Sequence, residues 1–269
     1  MKFVNIMKKL YYLFAFLFIT YSHSAQYEEV IDVSDALQNA QDLQTSAVKI
    51  VKDYLYRGLK VNYVTKENDE NLSKGETSLL QLEIYAKDHP EIKDRVNKVK
   101  QQWKKLRNLA IQSPKREKMK TLLPGLQRFL TTTEQLVEAI KKTDNVTIIN
   151  YQHASNEMEV LSQQLAFLYG MKGAGMNNSD IDNEIKNCIN NFQKNLDLTF
   201  FSGENTIDIT ESLKSIQADW EMAKQTSKNT DADRLLNTIY ILMNKISDES
   251  RKASLLYQQK AKEEIKKKK

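Results

Sequence analysis

Turn-forming residues are scarce along this chain, and that scarcity limits its fold more than any other feature. Gly (7) and Pro (3) together make up about 4% of the 269 residues, against roughly 12% in average proteins. β-Sandwiches and barrels need turn residues every ~8–12 positions, so the composition excludes them. A Rossmann or P-loop domain needs a glycine-rich turn after a strand, and the glycine cluster at 170–175 follows a helical pattern instead. The chain is therefore predicted to be all-α.

Apolar residues recur every three or four positions, as they do on amphipathic helices. In the first predicted helix this stripe includes Leu37, Val48 and Leu55, and Ser34 or Asp35 is the expected N-cap. A polar loop is expected at 66–75, and a kink at Pro124-Gly125. The pattern predicts helical segments at about 30–64, 77–88, 91–111, 115–142, 146–171, 179–201, 207–228 and 232–266.

The first 25 residues have the layout of a secretory signal peptide. Three lysines precede an apolar run of ten residues at 10–19, and small residues follow up to Ala25. Ten apolar residues are too few to cross a ~30 Å hydrocarbon core, but they are typical of the centre of a signal peptide. We predict cleavage near Ser24 or Ala25 and a periplasmic location. The alternative is an uncleaved anchor in the inner membrane.

The positive charge of the chain is concentrated at its two ends. Residues 1–25 contain three Lys and no Asp or Glu, so the formal net charge of +5 falls to +2 without them. The tail at 266–269 consists of four consecutive Lys. Because no basic patch remains in the body of the chain, we predict that it binds no nucleic acid. The tail is either a contact with an anionic membrane or a solvated helix end.

The order of apolar residues repeats in the second half of the chain. The two Trp residues, Trp103 and Trp220, are 117 positions apart, and the apolar residues around them match at the same offset. Each Trp is predicted to be a core anchor. Tyr54 and Tyr169 match at an offset of 115. We interpret this pattern as an internal duplication of about 115 residues. It predicts two tandem antiparallel four-helix units in an elongated helical bundle, at 26–143 and 144–266, followed by the Lys-rich tail at 266–269.

The segment at 157–169, EMEVLSQQLAFLY, resembles a helical motif of one sensory family. That family comprises the N-terminal sensory domains of type IV pilus methyl-accepting chemotaxis transducers (PilJ type), which are related to nitrate/nitrite sensor input domains. Leu161, Ser162, Gln163, Ala166 and Tyr169 match its motif G-R-Q-R-M-L-S-Q-R-M-A-K-x-Y. The first repeat matches more faintly at 52–55, and the resemblance extends over residues 30–228.

The resemblance implies a module that binds a small ligand and passes the signal to a membrane sensor or another envelope protein. Sensor domains of this kind often dimerise, so it also implies a homodimer. The ligand-binding candidates that it marks are Lys49, Tyr54, Glu157, Ser162, Gln163, Gln164 and Tyr169.

The motif arginines of the family are replaced in this chain. Glu157, Glu159 and Gln164 stand at these positions in the second repeat, and Asp42, Gln44 and Lys49 stand there in the first. A guanidinium clamps a small anion through a planar fork of donors, whereas carboxylates repel it. The replacements therefore disfavour nitrate and nitrite as ligands. Lys49 is the one cation left among the six positions, either as an anion ligand or as a solvated lysine.

Catalytic signatures are missing from the sequence. It contains neither G-x-S-x-G nor H-E-x-x-H. None of the three His has a Cys or another His at the spacing of a zinc site, which needs three or four convergent ligands. Glu157 and Glu159 are two positions apart and do not share a helix face. We predict no enzymatic activity, no cofactor and no metal, and we expect Cys188 to be either a buried apolar residue or an exposed thiol for intermolecular pairing.

Two classes of function remain open on the sequence. The first is a periplasmic sensing module with a polar pocket near residues 49–57 or 157–169. The glycines at 170–175 would then form either a flexible rim beside the pocket or a plain C-terminal turn. The second is a structural scaffold of the cell envelope, with a fully packed core and no small-molecule ligand.

Overall fold

The computed structural model describes residues 31–59, 68–144, 146–176, 178–226 and 232–268. The predicted signal peptide and the end of the first predicted helix, at 60–64, lie outside these residues. All the regular secondary structure in the described ranges is helical, which confirms the all-α prediction.

Eight long helices and one short helix make up the described part of the chain. They are α1 (Val33–Gly58), α2 (Asn68–Asp88), α3 (Pro90–Ala110), α4 (Arg116–Met119), α5 (Leu122–Ile140), α6 (Ile149–Gly173), α7 (Ser179–Phe200), α8 (Ile207–Thr226) and α9 (Ala232–Lys268). None of these described helices has a stretch that is both long and apolar enough to cross a bilayer.

Three details of the predicted helices were wrong. The N-cap of α1 is Asp32, whose carboxylate accepts a hydrogen bond from Asp35 N at 2.9 Å. Most of the predicted loop at 66–75 forms the start of α2. The residues buried in this part of the helix, Asn71 and Gly75, are not large apolar residues. The single helix predicted at 115–142 is divided, with Lys120 and Thr121 between α4 and α5. Pro124 lies in the first turn of α5, where its missing N–H breaks no hydrogen bond.

Each half of the chain packs four long helices against one another. In the first half the contacts run from α1 to α2, α3, α5 and back to α1, and in the second half they run from α6 to α7, α8, α9 and back to α6. The two halves meet mainly where α1 packs against α6. These helices belong to one compact unit, Ile31–Lys269, and the division into two four-helix units and their origin by duplication stay predictions.

Helices α1 and α6 run in parallel along this contact. Near their N-terminal ends, Gln152 Nε2 donates a hydrogen bond to Ser34 O at 3.0 Å. Further along, the Tyr56 hydroxyl donates to Ala166 O at 2.9 Å. Helix α9 also packs on both of these helices, so three helices share one long interface.

Helix α1 is enclosed on all sides. It contacts α2, α3 and α5 of its own half and α6 and α9 of the other half, and 21 of its 26 residues are buried. The predicted apolar stripe is buried, but so are polar residues such as Gln38, Asp42 and Lys52. A buried polar group without a partner costs ~1–3 kcal/mol, so these side chains have to pair with one another across the interface.

The two Trp residues play the same part in the two halves of the chain. Trp103 joins α3 to α2, and Trp220 joins α8 to α7. Both are 1% exposed. The indole N–H of Trp103 donates to Glu76 Oε1 at 3.1 Å, and that of Trp220 donates to Gln193 Oε1 at 3.0 Å. The acceptors, like the two Trp residues, are 117 positions apart. The prediction that each Trp is a core anchor is confirmed.

Cys188 is buried in α7, with 2% of its surface exposed. Burial raises the pKa of its thiol well above the ordinary value. Of the two interpretations of this residue, the small buried apolar side chain is therefore the one confirmed.

Substituting Gly75 with Ala tests the packing of α2 against the first Trp. A Cβ at this position would lie 2.3 Å from Cη2 of Trp103, so we expect a loss of about 1–3 kcal/mol in the free energy of unfolding. This loss should appear even though Ala is the better helix former by ~1 kcal/mol. Urea unfolding followed by Trp fluorescence measures it.

Gly203→Ala is the matched control. A Cβ there meets no atom within 4 Å, so its unfolding curve should stay within ~0.5 kcal/mol of the wild type. Equal effects of the two substitutions would contradict the packing described for Gly75.

Candidate functional site

The interface between α1, α6 and α9 is polar over much of its length. Asn156 Nδ2 and Ser254 Oγ donate to Gln38 Oε1 at 3.1 and 3.0 Å. Gln38 Nε2 in turn donates to Asp42 Oδ1 at 2.9 Å. Asn156 Nδ2 also bonds to Gln41 Oε1. These amides and hydroxyls satisfy one another away from water and so fix the register of the three helices.

Two buried carboxyl groups, those of Asp42 and Glu159, lie next to this network, and their pKa values are shifted in opposite directions. Arg251 Nη1 is 2.6 Å from Asp42 Oδ1, and Lys74 Nζ is 3.2 Å from the same oxygen. Burial opposes ionisation of Asp42, but the Arg251 hydrogen bond and the nearby cations lower its pKa. Glu159 lies 3.8 Å from Arg251 Nη1, and there burial dominates and raises the carboxyl pKa.

A buried ammonium occupies the next part of the interface. Lys52 is 3% exposed, and its Nζ donates to Gln163 Oε1 at 2.5 Å and to Asn244 Oδ1 at 3.1 Å. It also lies 4.6 Å from the centre of the Tyr240 ring. Gln163 was a predicted site residue, but the cation that it contacts is Lys52 and not the predicted Lys49. One weak indication of this contact is present in the sequence, because Lys52 is the first residue of the motif match at 52–55 in the first repeat.

The predicted site residues do not all converge on one place. The Tyr54 hydroxyl accepts a hydrogen bond from Lys115 N at 2.9 Å and donates to Ser113 O at 3.4 Å, so it fastens the loop before α4. Lys49 is half-buried, and its charge acts on Glu159. These two candidates therefore stand in different surroundings.

Ser162 and Tyr169 take part in the packing of α6. The Ser162 hydroxyl donates to Glu159 O in its own helix at 2.7 Å. Tyr169 is half-buried and packs against the core beside Trp220. Two predicted residues are left, Glu157 and Gln164, and both line one large groove.

This junction groove has a volume of about 980 Å³ and lies between α5 of the first half and α6 and α7 of the second. Its size is at the upper end of the ~300–1,000 Å³ range of small-ligand sites. Carboxylates outnumber cations along it. The charged lining residues are Glu91, Glu134, Glu138, Glu157, Glu184, Arg95 and Lys142.

Burial and mutual repulsion act on the carboxylates of the groove. Burial raises the pKa of Glu134, and the charge of Glu157 raises it further. Burial also raises the pKa of Glu157, although a hydrogen bond from Asn195 Nδ2 at 2.9 Å opposes the shift. Glu138 differs, since the hydrogen bond from Lys141 Nζ at 2.8 Å lowers its pKa. The carboxyl groups of Glu134, Glu138 and Glu157 are therefore close enough to influence one another's ionisation.

A histidine stands among these carboxylates. His153 Nε2 lies 3.7 Å from Glu134 Oε1 and 4.0 Å from Glu157 Oε2. Burial is the main reason why the pKa of His153 is lowered to about 4. One ligand atom from each of Glu134, Glu138 and His153 falls within 4.8 Å of the others, a grouping that could hold a metal ion. No pattern in the sequence indicates this grouping, because its residues come from two helices and only one of them is His or Cys.

The glycine cluster ends α6 and also borders a cavity. Gly175 has a φ of +75°, and Met176 N donates to Met171 O at 3.1 Å to close the turn. Gly175 and Met176 line a second cavity of about 610 Å³, which shares Gln127 and Glu184 with the junction groove. The turn is thus both a helix end and one border of this cavity.

Comparisons of the chain with protein-family models, with curated proteins and with solved structures found no match. The resemblance to chemotaxis and nitrate-sensor input domains therefore stays a prediction that rests on the residues of the motif alone.

Neutral substitutions of the two buried carboxylates, Glu159 and Asp42, should change the stability of the fold in opposite directions. The pKa of Glu159 is raised above 4.5, so its ionisation destabilises the folded state and Glu159→Gln should unfold at higher urea than the wild type at pH 7. The pKa of Asp42 is lowered below 3.8, so its ionisation stabilises the fold and Asp42→Asn should unfold at lower urea.

Acidification should remove both differences in stability between the variants and the wild type. The gain in Glu159→Gln should begin to shrink as the pH falls through the raised pKa of Glu159 and should disappear below 4.5, where the carboxyl is protonated in both the folded and the unfolded chain. The loss in Asp42→Asn should persist to a lower pH and shrink only below 3.8. Urea unfolding at several pH values measures both, and shifts of the same sign at pH 7 would contradict the assignment.

Proposed function

We propose that this chain is an exported, periplasmic helical module that binds a small cationic ligand in the junction groove. Its occupancy would pass to a membrane signalling partner, as the resemblance to sensory domains implies. The observation that carries the proposal is the charge of the groove, where five carboxylates face two cations around a cavity of about 980 Å³. The signal-peptide layout of residues 1–25 supports the location.

The chemistry of the groove favours cations over the anions that the related family binds. Glu157 and Gln164 occupy motif positions where the family has Arg, and both line the groove. Glu134 and Glu184, on either side, are hydrogen-bonded by the side-chain amides of Gln44 and Gln127 at 3.4 and 2.9 Å. These amides hold the carboxylates in place without neutralising them, so an ammonium or guanidinium group can bind there.

A scaffold function is the second candidate, and one observation favours it. Phe201 and Ile207, beside the turn between α7 and α8, are 82% and 78% exposed. Large exposed apolar side chains mark contacts with a partner protein in many domains. A scaffold needs no small ligand, so a ligand panel separates the two candidates.

Thermal unfolding of the chain with arginine, lysine, putrescine and spermidine, and separately with nitrate and citrate, tests the proposed function. A cation present at about 100 times its dissociation constant should add ~2.7 kcal/mol to the free energy of unfolding. The midpoint should then rise by several degrees. The anions should cause no rise beyond a matched salt control. A panel without any cation-dependent rise would overturn the proposal in favour of a scaffold.

Glu184→Gln locates the site within the groove. The substitution removes a charge but keeps an oxygen that can accept the Gln127 hydrogen bond, so it should reduce the cation-dependent rise without changing the fold. Glu211→Gln is the matched control because Glu211 is an exposed carboxylate outside the groove. Equal loss of the response in both variants would indicate binding to general surface charge.

A further inference from the structure

Helices α5 and α6 each present two potential metal ligands to the same place. Glu134 and Glu138 are four positions apart on α5, and His153 and Glu157 are four positions apart on α6. Residues at this spacing lie on one face of a helix. Glu134, Glu138 and Glu157 line the groove, and His153 Nε2 lies within 4.0 Å of Glu134 and Glu157. We call these four side chains the α5–α6 cluster.

The distances within the α5–α6 cluster are close to those of a shared metal ion. His153 Nε2 is 3.7 Å from Glu134 Oε1 and 4.0 Å from Glu157 Oε2. Ligand atoms around a tetrahedral ion with bonds of about 2.1 Å are roughly 3.4 Å apart. The ligand atoms of Glu134, Glu138 and His153 lie within 4.8 Å of one another, so carboxylate rotations that shorten these separations by up to about 1.4 Å would bring them to bonding distance.

His153 gives a second, independent sign of a ligand. Only 12% of its side chain is exposed, yet Nε2 takes part in none of the hydrogen bonds found among the described residues and faces two carboxylates. A neutral imidazole directed at carboxylates is the form that coordinates a metal.

The partners of the cluster suit coordination as well. When Nε2 binds a metal, Nδ1 carries the proton and needs an acceptor. Gln41 Nε2 lies 2.6 Å from Nδ1. A half-turn of this amide would place its oxygen there, at the cost of its 3.1 Å bond to the His153 carbonyl and of the bond that Gln41 Oε1 accepts from Asn156 Nδ2. Asn195 holds the Glu157 carboxylate through a 2.9 Å hydrogen bond.

We propose that the α5–α6 cluster binds one divalent transition-metal ion through His153, Glu134 and Glu138, with Glu157 completing the negative charge around it. One imidazole nitrogen with carboxylate oxygens suits Zn²⁺ or Mn²⁺ better than Ca²⁺ or Mg²⁺, which prefer oxygen ligands alone. The inference rests on the proposed function, because the site forms one wall of the junction groove. Lys141, which is 2.8 Å from Glu138 Oε1, is the cation that the metal would displace.

Calorimetric titration of the full chain with ZnCl₂ tests this site, with CaCl₂ as the comparison. We expect one Zn²⁺ per chain and much weaker binding of Ca²⁺. His153→Ala and Glu134→Gln should each weaken Zn²⁺ binding at least tenfold. Lys141→Met should tighten it, because a competing cation is removed.

His89→Ala is the matched control. His89 Nδ1 lies 3.3 Å from a carboxylate oxygen of Glu91 at an exposed helix end, so it tests whether any His–Glu pair of this chain binds Zn²⁺. Circular dichroism checks that each variant folds, and if His153→Ala does not, Glu134→Gln and Glu138→Gln decide. Undiminished binding in the cluster variants, or a loss in His89→Ala equal to theirs, would overturn the metal site.

Failure of the metal site is distinguishable from failure of the proposed function. A chain that is stabilised by organic cations but does not bind Zn²⁺ overturns the metal site alone. A chain that responds to neither overturns both proposals.

Discussion

The parallel packing of α1 against α6 is the contact on which the rest of this structure depends. It joins the two halves of the chain and encloses α1 between five other helices. An enclosed helix has no face for polar residues that water could satisfy, so Gln38, Asp42 and Lys52 are paired within the interface. These pairings contribute little net stability each, but leaving any of them unmade is costly. They therefore select one register of α1, α6 and α9 over its alternatives.

The junction groove is a consequence of this contact. Where α5 of one half meets α6 and α7 of the other, their facing side chains leave an open cavity that is bordered by carboxylates. Burial raises the pKa of Glu134 and Glu157, so ionising these carboxyl groups costs free energy in the folded state. A bound cation would remove much of that cost. Under the proposed function, this arrangement would give a chain that resembles anion sensors the opposite ligand preference.

The sequence was sufficient to predict the helices and the Trp anchors, because both follow from spacing of apolar residues along one chain. It was not sufficient for α1, since an apolar stripe predicts one buried face and cannot show that Asp42 and Lys52 are buried on the others. Of the predicted site residues, Glu157 and Gln164 line the groove, whereas Tyr54 fastens a loop. The closeness of Glu134 to His153 depends on how α5 packs beside α6, and no local pattern in the sequence records that packing.

Anomalous X-ray scattering from crystals of the chain grown with Zn²⁺ tests most directly whether the junction of the two halves is a cation site. The account predicts one strong peak about 2 Å from Nε2 of His153, bordered by the carboxylates of Glu134 and Glu138. Crystals that hold Zn²⁺ only at exposed carboxylates outside the groove, or that hold none, would contradict it.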